Sequence, residues 1–195
     1  MLKRASHFLS GLTLCLALSA CARLAVTNPF YKRPSLGAGF RYSTYGPRYN
    51  PGPPYWESVG QQMASRFPGA HPEAIWIVGE LHAGGSRLSF PGQSDNPLIQ
   101  FTSTDLNEDA LTRFDQDGVK VWLQVEPGDA PVGELITLVL QHYARHPYVI
   151  GVGVDVEWYH STHDPQGIQV SNADAAAWLA AARAYNPDYR LFLKH

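Results

Sequence analysis

Three acidic side chains stand at the ends of two apolar runs: Glu126 closes the run from Val119 to Val125, and Asp155 and Glu157 close the run from Val149 to Glu157. Read as strands, these runs put residues two apart on one face, about 6.6 to 6.8 Å from each other. Val152, Val154 and Val156 then occupy one face, and Gly151, Gly153, Asp155 and Glu157 the other. In the preceding run Val121, Leu123 and Val125 oppose Trp122, Gln124 and Glu126. Carboxyl groups gathered this closely cannot all ionise freely, so one is expected to hold its proton near neutrality. A protonated acid beside an ionised carboxylate is what glycoside hydrolysis requires, one for the leaving oxygen and one for the developing positive charge. Trp158 and Tyr159 follow directly as faces on which a sugar could stack, with Gln124 and Lys194 as polar companions. The same acids could instead pair with Lys194 as a purely structural cluster.

These residues need a scaffold, and the chain supplies a regular alternation. Helical patterns cover 56–67, about 106–115, 132–145 and 174–185, and apolar runs cover 74–79, 119–125, 149–157 and 189–195. Thr104 or Asp105 caps the second helix and Gly118 stops it. Short strands alternating with helices of 10 to 15 residues argue for parallel βαβ units and an α/β fold. The first strand-to-helix turn carries no glycine-rich phosphate fingerprint, because Gly84 and Gly85 lie in a polar loop. That favours a (β/α)8 barrel of the TIM type over a doubly wound sheet. Polar groups gather at the C-terminal strand ends, where barrel enzymes place their chemistry. By the same parity the first strand turns Trp76, Val78 and Glu80 inward, and the last turns Phe192 and Lys194 inward. A complete barrel takes about 250 residues, so the 195 residues here read as the N-terminal half of one, with four strands. Residues 81–103 read as a long loop or hairpin in which 98–101 could add a strand.

The run Gly153-Val154-Asp155-Val156-Glu157-Trp158 resembles the strand motif of family 18 chitinases and endoglycosidases, and also the D-x-E of family 25 lysozymes. The resemblance implies that Glu157 donates the proton and that Asp155 supports a substrate-assisted route through a 2-acetamido group. It covers about nine residues. Ile150 and Gly153 stand where family 18 has earlier aspartates, and the strand is third in this count where the family pattern sits on the fourth.

Ahead of this domain the chain carries an address. Lys3 and Arg4 precede an apolar stretch from Phe8 to Leu18, followed by Ser19, Ala20 and Cys21. The ending resembles the lipobox of bacterial lipoproteins, which implies cleavage after residue 20 and lipidation of Cys21. Several acyl chains on one residue give stable anchoring, at about 0.8 kcal/mol per buried CH₂. Ala22 lacks the aspartate associated with inner-membrane retention, so the expected location is the cell envelope, at the outer membrane or cell surface. Residues 21–55 hold no acidic side chain, five basic ones and many Pro, Gly and Tyr, and read as a semi-extended basic tether. Residues 56–195 form the barrel domain, and from Glu57 onward eight basic side chains face seventeen acidic ones, a charge of -9.

That balance excludes a broad basic face for nucleic acid. With 45% hydrophobic and 16% charged residues the chain is globular rather than disordered or coiled-coil. His142 and His146 have the spacing of the zinc-protease helix, but Tyr143 occupies the glutamate position, so no metal is expected. No nucleophile elbow or P-loop is present, and no cofactor is implied. The expected function is an envelope lipoprotein that hydrolyses or recognises a carbohydrate. The alternatives are a non-catalytic carbohydrate-binding or envelope lipoprotein on a degenerate barrel, or an inactive truncated fragment.

Overall fold

In the computed structural model, residues 36–46, 48–163 and 168–195 are described. The expected leader, Cys21 and the first part of the expected tether lie outside the described residues. Among the described residues, the strands are β1 (Gly37–Tyr42), β2 (His71–His82), β3 (Gly85–Leu88), β4 (Ile99–Phe101), β5 (Lys120–Val125), β6 (Val149–Asp155) and β7 (Arg190–Lys194). The helices are α1 (Pro53–Ser65), α2 (Glu108–Asp117), α3 (Val132–Tyr143) and α4 (Asn172–Arg183).

All seven strands join one mostly parallel sheet, and the fold is α/β. β1, β2, β5, β6 and β7 lie side by side in chain order, each parallel to the next. No reversal interrupts that order. β2 is long enough to carry two further partners in succession, β1 along His71–Trp76 and the antiparallel β3 along Gly79–His82. β3 and β4 occupy the stretch read as a loop or hairpin, so the added strand there is real.

β1 is the main departure from the sequence reading. Residues 37–42, expected within the tether of residues 21–55, pair along the edge of β2. The alternation Gly37-Ala38-Gly39-Phe40-Arg41-Tyr42 packs Phe40 and Tyr42 against the core, with Phe40 stacked on Trp56 at 5.2 Å between ring centroids. α1 then opens on Pro53 and Pro54, whose missing or unneeded amide donors suit a first helical turn. The extra strand makes β6, which carries Asp155, the fourth parallel strand rather than the third.

All four helices pack on the same face. A single apolar cluster joins Val121, Leu123, Val125, Val152 and Val154 of the sheet to Trp56, Phe114, Leu135 and Trp178 of the helices. The valine parity expected for β5 and β6 therefore holds. The parity expected for β2 does not hold at Trp76 and Val78, which are buried in the helix-side core. Trp76 stacks on Tyr42 at 4.0 Å and meets Phe114 edge-on at 5.4 Å. A register shift between Ile77 and Gly79 inserts one residue, which resets the alternation and returns Glu80 to the open face.

Local signals set the helix ends. Asp105 accepts from the amides of Asn107 (2.8 Å) and Glu108 (3.1 Å) at the start of α2. Gly118 ends that helix in the left-handed region at φ 71°. Ser171 and Asp174 form a reciprocal capping box at the start of α4. Behind α2 the buried Asn107 accepts from Trp76 Nε1 at 2.9 Å and donates to the Ser89 carbonyl and to the Tyr143 hydroxyl oxygen. Tyr143 donates in turn to Asp105, so the polar atoms of this cluster satisfy one another.

Candidate functional site

The polar side chains of the helix-free face converge at the C-terminal ends of the parallel strands. Asp155, the last residue of β6, has a side chain 1% exposed. Its Oδ2 accepts from Arg41 Nη2 at 3.3 Å and from Gln124 Nε2 at 3.2 Å, and Lys194 Nζ lies 3.3 Å away. Its Oδ1 is buried and has no hydrogen-bond partner among the described residues. Glu126, just past the end of β5, is equally buried at 1%. Its Oε2 accepts from the Leu81 amide and from the Tyr45 hydroxyl, both at 3.0 Å. Arg41 Nη2 stands 3.9 Å from its Oε1, and Arg41 Nε donates to Gln124 Oε1 at 3.1 Å. One guanidinium therefore bridges both carboxylates and the amide between them.

This convergence follows from the sheet. Gln124 pairs with Gly153 and Asp155 with Lys194 in the strand register. Gly153 leaves space that the Phe192 ring fills; a Cβ there would meet that ring at 2.2 Å. β6 and β7 are thus in close contact beneath Asp155 and Lys194.

Burial pushes the carboxyls of both Asp155 and Glu126 above the ordinary carboxylate range, because the charged form loses water. The cations oppose this only in part, Lys194 and Arg41 at Asp155 and Arg41 at Glu126. Burial of the Tyr45 hydroxyl, reinforced by the charge of Glu126, pushes that phenol up to about 12.

Glu157 differs from the expectation placed on it. The strand ends at Asp155, and a single 3₁₀ turn, Val156–Trp158, carries Glu157 away from the strand parity. Its side chain is 47% exposed and takes a hydrogen bond from Lys194. That bond and the ammonium charge lower its carboxyl below the ordinary range, the opposite of what a proton donor needs. Of the expected stacking residues, Tyr159 turns toward the helix layer, edge-on to Trp178 at 5.3 Å. Half-buried Trp158 makes no hydrogen bond to the cluster among the described residues.

The structure therefore brings together Asp155, Glu126, Gln124 and Lys194, attaches Glu157 through Lys194, and leaves out Trp158 and Tyr159. Arg41, Tyr45 and Thr44, which donates to Glu80, were not expected. The alternation of Gly37, Gly39 and Arg41 against Phe40 and Tyr42 was the available signal, obscured by the surrounding prolines. His142 and His146 each sit on a carboxylate, Asp105 Oδ2 at 2.8 Å and Asp115 Oδ2 at 2.6 Å. Among the described residues no group of three or more His, Cys, Asp and Glu could hold a metal ion.

Comparison with protein families, with curated proteins and with solved structures finds no match. The chemistry of the cluster is accordingly read from its own geometry.

Proposed function

We propose that the cluster is the acid and carboxylate pair of a glycosidase-like site on the first part of a (β/α)8 barrel, carried by an envelope lipoprotein anchored through Cys21. The observation that carries this reading is the pair Asp155 and Glu126. Both are buried at C-terminal strand ends, both have raised carboxyls, and one guanidinium spans them. The chain-order strands and the one-sided helix layer support the barrel, since one-handed crossovers between neighbouring strands place every helix outside. The place of Asp155 on the fourth parallel strand agrees with the position of the family 18 motif.

In this reading the roles move. Glu126, buried and with its one cation, Arg41, at 3.9 Å, holds the proton for the leaving oxygen. Asp155, with Arg41 and Lys194 both on Oδ2 to favour its charged form, is the carboxylate that balances the positive charge developing on the sugar. Glu157 orients Lys194. A second reading, a binding or structural lipoprotein without turnover, is favoured by Lys194 itself, which pairs with Asp155 and Glu157 as a structural cluster would require.

New reducing ends released from N-acetylglucosamine and β-glucan oligomers separate the two readings. The enzymatic reading expects release that falls at higher pH, as the acid loses its proton. Binding without release at any pH contradicts it.

A further inference from the structure

Large exposed aromatic rings concentrate in the loop that follows β1. Tyr45 is 65% exposed and Tyr49 74%. The polar groups around them hold the loop in place. Ser43 Oγ accepts from the Tyr45 amide at 3.1 Å, and Asn50 Oδ1 accepts from the Gly52 amide at 3.0 Å and from Trp56 Nε1 at 2.9 Å. Arg48 has no hydrogen bond or ion pair among the described residues. Tyr42, Ser43, Thr44, Arg48, Tyr49 and Asn50 line a cleft of about 210 Å³.

We propose that the walls of this cleft, together with the neighbouring Tyr45, form a glycan subsite, in which Tyr45 and Tyr49 offer stacking faces to sugar rings and Arg48 donates to their hydroxyls. The inference rests on the carbohydrate reading above and extends it to a part of the molecule not yet assigned. Tyr45 links the two places: its ring is exposed while its hydroxyl donates to buried Glu126 at 3.0 Å. A sugar stacked there lies beside the acid. A pyranose presents apolar C–H groups to an aromatic face and hydroxyls at its edge, which matches exposed tyrosine rings next to the Arg48 guanidinium. The cleft is smaller than the roughly 300 to 1,000 Å³ of an ordinary small-molecule pocket, which suits one ring of a chain rather than an enclosed ligand. Nucleic-acid bases also stack on tyrosine, so a single-stranded oligonucleotide is the competing ligand to test.

Calorimetric titration of the full chain with chitohexaose, cellohexaose and a single-stranded oligonucleotide tests this. The expected result is binding of at least one hexasaccharide, weakened about tenfold or more by Tyr49→Ala and by Tyr45→Ala. Tyr45→Phe, which keeps the ring, stays within about threefold, and so does Tyr185→Ala at the end of α4. Tyr49→Ala should melt with the parent, because that ring stands in solvent; Tyr45→Ala and Tyr45→Phe both lose the hydrogen bond to Glu126, so they share any change in melting temperature and differ in binding through the ring alone. Hexasaccharide binding that neither alanine variant changes overturns the subsite and leaves the carbohydrate reading in place. Failure of the parent to bind either hexasaccharide, or binding of the oligonucleotide alone, overturns both.

Discussion

Arg41 Nη2 stands 3.3 Å from Asp155 Oδ2, which ties the first parallel strand to the fourth across the open face of the sheet. The two residues are 114 positions apart in sequence, and β2 and β5 lie between their strands. Arg41→Met removes this contact while keeping much of the stem. The expected loss is about 1 to 3 kcal/mol, from leaving a buried carboxylate short of a partner, or roughly 2 to 12 °C in melting temperature. Asp155→Asn added to Arg41→Met should recover part of the loss, and calorimetry of the four proteins measures the coupling.

Acid stability carries a second prediction with a definite sign. A carboxyl whose folded value is raised costs stability wherever it is ionised. That cost therefore fades as pH falls through the raised value toward the ordinary 3.8 for Asp155 and 4.5 for Glu126. Glu157 and Asp174 act oppositely: their values are lowered, by Lys194 and by the Ser171 cap, and their contribution is lost as pH falls through them. Denaturant midpoints measured from pH 7 downward should thus hold or rise just above the ordinary carboxylate range, then fall below it. The double variant Glu126→Gln, Asp155→Asn should lose the first feature and keep the second.

Packing beneath the site gives a third. Gly153→Ala places a methyl group against the Phe192 ring, with an expected cost of about 1 to 3 kcal/mol from overpacking. Phe192→Leu should relieve some of it, so the two substitutions combined should cost less than their sum in a denaturant titration.

The buried amide of Asn107 gives a fourth. Asn107→Ala strands the donors and acceptors of Trp76, Ser89 and Tyr143 that it now satisfies, at about 2 to 4 kcal/mol. The loss should be visible in melting temperature.

How far these contacts could be read from the residues varies along the chain. β5 and β6 are legible because Gln124, Gly151, Gly153 and Asp155 alternate with Leu123, Val125, Val152 and Val154. Trp76 was misread because one inserted residue in β2 flips the face after Ile77, and a bulge leaves no mark in an apolar run. Arg41 and Tyr45 were missed because a strand of six residues sits among prolines whose composition reads as a linker. Glu157 leaves the expected strand face for a three-dimensional reason. The strand stops two residues early, and Lys194 of the neighbouring strand reaches the carboxylate.

The anchoring proposal has its own test. Cys21→Ser should abolish incorporation of labelled palmitate and partition into detergent; unchanged partition contradicts it.

The central claim is that Glu126 is the proton donor, and Glu126→Gln tests it most directly. The amide keeps the shape of the side chain and loses the proton. On a glycan that the parent cleaves, turnover should fall by about 10² to 10⁴, with binding and melting temperature nearly unchanged. Turnover by Glu126→Gln equal to that of the parent would contradict the account.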